Sequence, residues 1–363
     1  MLRSPLSRRL PRKPGAVILM TFSVALTTST GCAASTTPTG HPLTKPAGAG
    51  AVEAAGPVFP GTTCPAFPAN NVLNTPITGL PVDPNSATWL AAMGASSTYL
   101  HPDYGPSGNK AVPYGIPWQI VSPTQKLVTV KFSDPGQSNK GPYPFSASTP
   151  IEGGPKSTGD RHALMVNPST CTLYELYAAN YRSSGGSTAG SGAIWSLKSN
   201  ALRPASWTSA DAAGLPIAPL LVNYDEVKAA VMDHAIRVTA QCTQQSYLWP
   251  ARHEAGVPNT NCPPMGARFR LNAGFTLPKT ECAAMCQTVL TTMKTYGLIV
   301  ADNGSNWYFQ GTADSRWTYF QVDQLKAIPA SQFVAVDESC LMISPDSGAA
   351  YQPGTAAWTK HCG

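Results

Sequence analysis

Histidines and carboxylates fall together at four places in this chain, His101-Pro102-Asp103, Asp160-Arg161-His162, Asp233-His234 and Arg252-His253-Glu254, and Asp302-Asn303 adds a polar pair without histidine. Side chains of these types move protons near neutral pH, so the pattern points to general acid and base chemistry. Hydrolysis of a glycosidic bond needs two carboxyl groups flanking it, roughly 5 Å apart for retention and about 6.5 to 9.5 Å for inversion. Asp160, Glu175, Asp211, Asp225, Glu226 and Asp302 are available. Glu175 stands out within Leu173-Tyr174-Glu175-Leu176-Tyr177, where strand alternation puts Leu173, Glu175 and Tyr177 on one face. A Tyr/Glu face suits a sugar groove, with rings stacking on pyranose faces and carboxylates binding hydroxyls. The expected catalytic group is therefore Asp160, His162, Glu175, His234 and Asp302. Tyr177, Trp207, Asp211, Arg252, His253, Arg270 and Asn303 are the expected substrate-binding group.

The same residues suit other chemistries. A polysaccharide lyase needs a neutral His or Tyr as base and Arg or Asn to neutralise a uronate, and His162 or His234 with Tyr177, Arg252, Arg270 and Asn303 would supply these. A metal set of His101, Asp103, His162 and His253 has the alternate spacing that shares one strand face, but neither a metal nor any other cofactor is expected. No G-x-S-x-G elbow or phosphate loop is present. A histidine at a strand start can also serve only to bond a neighbouring turn, and most of Trp195, Trp207, Trp249, Trp307 and Trp317 are expected in the core.

The elements that must position these groups are short strands. Alternating runs recur at Leu127–Phe132, Ala163–Val166, Thr172–Tyr177, Ala193–Leu197, Ala235–Thr239 and Arg268–Leu271, bounded by Gly, Pro, Asn and Ser. They predict a mostly β fold, a β-sandwich or jelly-roll-like single domain over 63–363. His162 and His234 each precede an Ala-aliphatic-x-Val run, so the two are expected to begin paired strands and face one cleft. One longer helix is predicted over 280–297, with shorter ones around Tyr224 to Met232 and Val322 to Ile328.

The first residues read as an export signal over 1–31: Arg3, Arg8, Arg9, Arg12 and Lys13, an apolar run from Ala16 to Leu26, then Ser29-Thr30-Gly31-Cys32. The small residues before Cys32 resemble a lipobox, although Ser29 replaces the usual leucine. Lipid on Cys32 would be the only link to a membrane. Ser7-Arg8-Arg9 loosely resembles a twin-arginine signal, with Pro11 against it. Residues 32–62, rich in Ala, Thr, Pro and Gly, read as a disordered tether. The five basic residues of the signal account for all but one of the net charge of +6, so basicity argues nothing for nucleic acid.

Setting Cys32 aside leaves eight cysteines, suited to four disulfides in an oxidising compartment. Cys242 with Cys262 and Cys340 with Cys362 are the expected neighbours. Cys282 and Cys286, one turn apart on the predicted helix, are expected to reach Cys64 and Cys171 instead.

Several segments, read together, resemble a family of secreted bacterial β-rich proteins: Asn74-Thr75-Pro76-Ile77, His101-Pro102-Asp103-Tyr104-Gly105, Asp160-Arg161-His162, Leu173–Tyr177, Trp207–Ile217, Pro250–His253, Pro263–Gly266 and Ala301–Ser305. The resemblance spans most of 72–337 and implies one secreted domain; it brings no reaction with it. The residues themselves favour an extracytoplasmic, monomeric glycoside hydrolase acting on an envelope or environmental polysaccharide. The alternatives are a polysaccharide lyase and a non-catalytic carbohydrate-binding or adhesion domain.

Overall fold

Runs rich in Val, Ile, Leu and aromatic residues, cut short by Gly, Pro and Asn, make many strands and few helices. In the computed structural model of the chain the described residues are 56–107 and 112–363. The expected signal, the Cys32 lipid site and the tether up to residue 55 lie outside them. In chain order the strands are β1 (His101–Asp103), β2 (Trp118–Ile120), β3 (Val130–Phe132), β4 (Ala163–Asn167), β5 (Thr172–Leu176), β6 (Ser187–Ala189), β7 (Gly192–Ser196), β8 (Ile236–Ala240), β9 (Arg268–Leu271), β10 (Leu298–Asn303), β11 (Tyr308–Gln310) and β12 (Phe333–Val336). The helices are α1 (Ser86–Ala92), α2 (Tyr224–Ala229), α3 (Ala284–Thr295), α4 (Tyr319–Asp323) and α5 (Ala356–Cys362). The protein is mostly β. Among the described residues no helix is long and apolar enough to cross a membrane.

Two larger sheets carry the fold. One has six strands in the order β1-β11-β8-β10-β9-β12, the other four in the order β2-β4-β5-β7, and β3 pairs separately with β6. The pairing departs from the antiparallel meanders and Greek keys of a sandwich or jelly roll. β1 with β11, β8 with β10, β2 with β4 and β3 with β6 all run parallel. Parallel pairs occur in sheets covered on both faces, and β4 behaves accordingly. Leu164 and Val166 join the main core while Ala163 and Met165 join a smaller cluster around Tyr143 and Phe145.

The expected pairing of the His162 and His234 strands does not form. β4 belongs to the four-stranded sheet and β8 to the six-stranded one. The longer helix is also shorter than expected, α3 starting only at Ala284, and Gly297 follows its C-cap at φ 72°. A Cβ at Gly297 would stand 2.5 Å from the Phe269 carbonyl, so the close turn into β10 needs glycine there.

Four disulfides join Cys64 to Cys171, Cys242 to Cys262, Cys282 to Cys286 and Cys340 to Cys362. The expectation for Cys282 and Cys286 is corrected. Cys282 precedes the helix in a turn closed by its N–H on the Pro278 carbonyl, which brings its Cα within 5.2 Å of the Cys286 Cα. The tether likewise ends earlier than residue 62: Phe59 is buried edge-on against Trp118, centroids 5.0 Å apart.

Candidate functional site

A cleft of about 470 Å3 is lined by Asp302 and Asn303 of β10 and by connecting segments, among them those that hold Asp160, Tyr177 and Asp211. On the six-stranded side Arg237 lies beneath two of its lining residues, Asp211 and Asp302. Along β8, Ile236 and Val238 face the main core, which leaves Arg237 and Thr239 on the opposite face. Arg237 is fully buried, so its charge requires a partner. Asp211, also fully buried, grips it at two points, accepting from Nε at 3.2 Å and from Nη2 at 2.7 Å. Asp302 lies 3.5 Å from the same Nη2.

Asp302 reaches that face through a bulge. Val300 of β10 pairs with Val238, but the next pair is Asp302 with Thr239, leaving Ala301 unpaired in the ladder. In regular register Asp302 would share the core face of Val300; the extra residue turns it toward Arg237 instead. The carbonyl of Ala301 accepts from the N–H of Ala213, tying the bulge to the segment that carries Asp211.

On the four-stranded side, His162 leads into β4 and is buried. Its Nδ1 lies 2.6 Å from Glu152 Oε2 and its Nε2 lies 3.0 Å from the Ala210 carbonyl. Both partners accept, so both ring nitrogens donate and the ring is an imidazolium. Burial alone would lower its pKa; the hydrogen bond and charge of Glu152 outweigh that and raise it to about 9. Arg161, between Asp160 and His162, has a left-handed backbone at φ 54°. Its guanidinium holds the carbonyls of Ala179, Pro155 and Ser157, and the Asp160 carbonyl accepts from Ala178. Arg161 thus fastens the loop so that His162 turns inward while the Asp160 side chain stays exposed in the cleft. Tyr177 lines the cleft with 39% of its surface exposed, its ring 5.7 Å from that of His162.

The cleft is acidic. Asp134, Asp160, Asp211 and Asp302 line it, and among the described residues no lysine or arginine does. Burial raises the Asp302 carboxyl above its ordinary range, Arg237 and His162 pull it back, and Asp160 pushes it up again; its side chain remains 24% exposed. For Arg237, burial lowers the pKa, and Asp211, Asp302 and Glu152 together overcome this and raise it, so it is a fixed cation. His253 also lines the cleft; its Nδ1 must donate to the Ala212 carbonyl at 2.8 Å. Chemically this is an exposed carboxylate beside a carboxyl biased toward its protonated form, over a buried bed of charge.

Of the expected site residues, Asp160, Tyr177, Asp211, His253, Asp302 and Asn303 line this cleft, and His162 lies directly behind it. Asn303 is committed to structure, accepting from Thr243 and donating to the Ala255 carbonyl. The other five lie outside the lining. Glu175 is wholly buried: Oε1 accepts from the N–H groups of Ile217 and Ala218 at 2.9 and 2.8 Å, and Oε2 accepts from Trp195 Nε1 at 2.9 Å. The supposed sugar-facing side of β5 is therefore packed against β7 and the 217–218 turn at Glu175, and opens only at Tyr177. His234 is buried on the Ala235 carbonyl and Glu226 of α2. Arg252 holds Pro345 and Asp346, and Arg270 caps the carbonyls of Ile77, Thr78 and Leu80. Trp207 lies against Arg203, 5.5 Å from ring centroid to guanidinium carbon. Trp195, Trp307 and Trp317 are buried, while Trp207 and Trp249 are only partly so.

Among the described residues no three His, Cys, Asp or Glu side chains gather as a metal site. His101 instead stacks on Tyr308 with centroids 4.0 Å apart. Sequence reasoning missed Glu152 and Arg237. Arg237 carried a signal, because an arginine inside Ala235-Ile236-Arg237-Val238 must find a buried acid if both strand faces are covered. Comparison of the chain with protein-family models, curated proteins and solved structures gives no match.

Proposed function

We propose that this protein is an exported glycoside hydrolase acting on an envelope or environmental polysaccharide, with Asp302 as general acid and Asp160 as its partner carboxylate. The observation that carries the reading is the sharing of one cleft by exposed Asp160, half-exposed Tyr177 and an Asp302 whose carboxyl is raised by burial. Burial shifts the Asp302 carboxyl toward the protonated form that donates to a leaving oxygen, and exposed Asp160 is the candidate nucleophile or activator of water. Tyr177 offers a ring to a pyranose face. Export is supported by the N-terminal sequence pattern and by the four disulfides.

A lyase fits the cleft less well. It needs a cation facing the uronate carboxylate, and Arg237, Arg252 and Arg270 are all bound to protein acceptors. The purified protein, incubated with a polysaccharide panel, should release new reducing ends. Asp302→Asn and Asp160→Asn should each lower kcat by about 10²- to 10⁴-fold while the denaturation midpoint shows that the variant is folded. Absorbance of unsaturated uronates would replace the hydrolase with a lyase. Binding without product would replace it with an adhesion domain.

A further inference from the structure

Asp160 is also a wall of a second cavity, of about 490 Å3, lined on its other sides by Asp103, Glu152, Ser157 and Tyr114. The two cavities are similar in size, and each is within the roughly 300–1,000 Å3 of typical small-ligand sites. Each presents one exposed tyrosine, Tyr177 in the first and Tyr114, 59% exposed, in the second. Tyr114 stands on fixed backbone: its N–H donates to the Gly105 carbonyl at 2.8 Å and its carbonyl accepts from the Gly105 N–H at 3.1 Å. The following Gly115 has φ 111°, and a Cβ there would lie 2.7 Å from the Gly311 carbonyl, so the chain is pressed against the end of β11. A large ring kept exposed on rigid backbone is a preorganised stacking surface. Among the described residues no lysine or arginine lines the second cavity either, and burial together with Glu152 raises the Asp103 carboxyl.

We propose that Asp160 stands between two saccharide-binding cavities, with Tyr177 and Tyr114 as the stacking platform of each, so that an uncharged or amino-sugar glycan chain occupies both and is cut in its interior. The carboxylates of Asp134 and Asp160 on the described walls disfavour polyuronates by repulsion, while neutral hydroxyls or sugar ammonium groups satisfy them. This inference rests on the carbohydrate reading of the cleft and adds chain-internal binding and charge selection to it.

The test is calorimetric titration of the full protein, carrying Asp302→Asn so that ligand is not consumed. The ligands are ladders of chitosan oligomers, N-acetylated chito-oligosaccharides and oligogalacturonides from disaccharide to heptasaccharide. Affinity for one of the first two ladders should rise with length until both cavities are filled. Tyr114→Ala should remove that gain, about tenfold, and Tyr114→Phe should keep it. Equal affinity for short and long oligomers, an unaffected Tyr114→Ala, preference for oligogalacturonides, or no binding by any ladder would each overturn the proposal. Product release is read separately with the unsubstituted protein. A length-dependent gain without products removes the hydrolase and leaves the two cavities standing; products with no length or Tyr114 dependence do the reverse.

Discussion

Replacing His162 by glutamine should remove a pH-dependent part of the stability that the structure locates in one contact. Folded His162 takes its proton up to about 9, against an ordinary 6.5, because Glu152 lies 2.6 Å from Nδ1 and the Ala210 carbonyl faces Nε2. The raised value means that the charged ring stabilises the fold fully below about pH 6.5, and that this contribution is lost as pH rises through about 9. The ring is only 2% exposed, so solvent screens the pair little, and the difference between the two values corresponds to about 3 kcal/mol. Arg237, Asp302 and the Tyr177 ring also face His162, and Arg237 opposes its charge. Asp211 and Glu338, both pushed up to about 7, finish titrating below the upper part of this window. Chemical denaturation of the protein and of His162→Gln, at steps from about pH 7 to about pH 10, isolates the term. The unsubstituted protein should lose about 3 kcal/mol more than the variant across that range. Parallel curves would refute an imidazolium at His162 and would place the shared proton on Glu152 instead.

Glu175→Gln should act on stability and leave chemistry alone. The amide nitrogen cannot accept, so either Trp195 Nε1 or the paired N–H groups of Ile217 and Ala218 lose an acceptor, at about 2 to 3 kcal/mol in denaturation. A drop in kcat at an unchanged midpoint would return Glu175 to the catalytic group. Asp211→Ala leaves Arg237 buried with only the longer contact to Asp302 and should cost about 3 to 5 kcal/mol, whereas Asp211→Leu combined with Arg237→Met should recover most of it.

Elements set by local pattern were legible in the sequence. Arg268–Leu271 is a strand with the expected bounds, and the apolar run at Ala163–Val166 is β4 to within a residue, because period-two burial leaves its mark on neighbouring positions. The lining positions of Asp160 and Asp302 were reached from residue type alone. What failed depended on partners distant in sequence. Glu175 shares a strand face with Tyr177 by alternation and by that pattern is expected in a sugar groove, but its surroundings are decided by Trp195, twenty residues on, and by the Ile217 and Ala218 N–H groups, more than forty on. The role of Arg237 depends on Asp211 and on a one-residue bulge at Ala301, neither of which has a local signature. Sheet order escaped for the same reason: β1 pairs with β11 across two hundred residues, and no periodicity within either strand encodes the match.

The Cys64–Cys171 bond also sets the path of mechanical load. A pull applied between the two ends of the chain reaches Cys64, crosses the disulfide to the turn between β4 and β5, and continues from Cys171. The covalent loop between them carries no tension. Asp103, Tyr114, Glu152, Asp160 and His162 all lie inside that loop, so the described lining of the second cavity, with Ser133 and Asp134 of the first, sits in a segment that force cannot extend until the disulfide itself breaks. Tyr177, Asp211, Arg237 and Asp302 lie on the loaded stretch beyond Cys171. Stretching would therefore load the contacts from His162 to Ala210 and from Arg161 to Ala179, which join the shielded loop to the loaded stretch, while the Asp160 loop itself carries no tension.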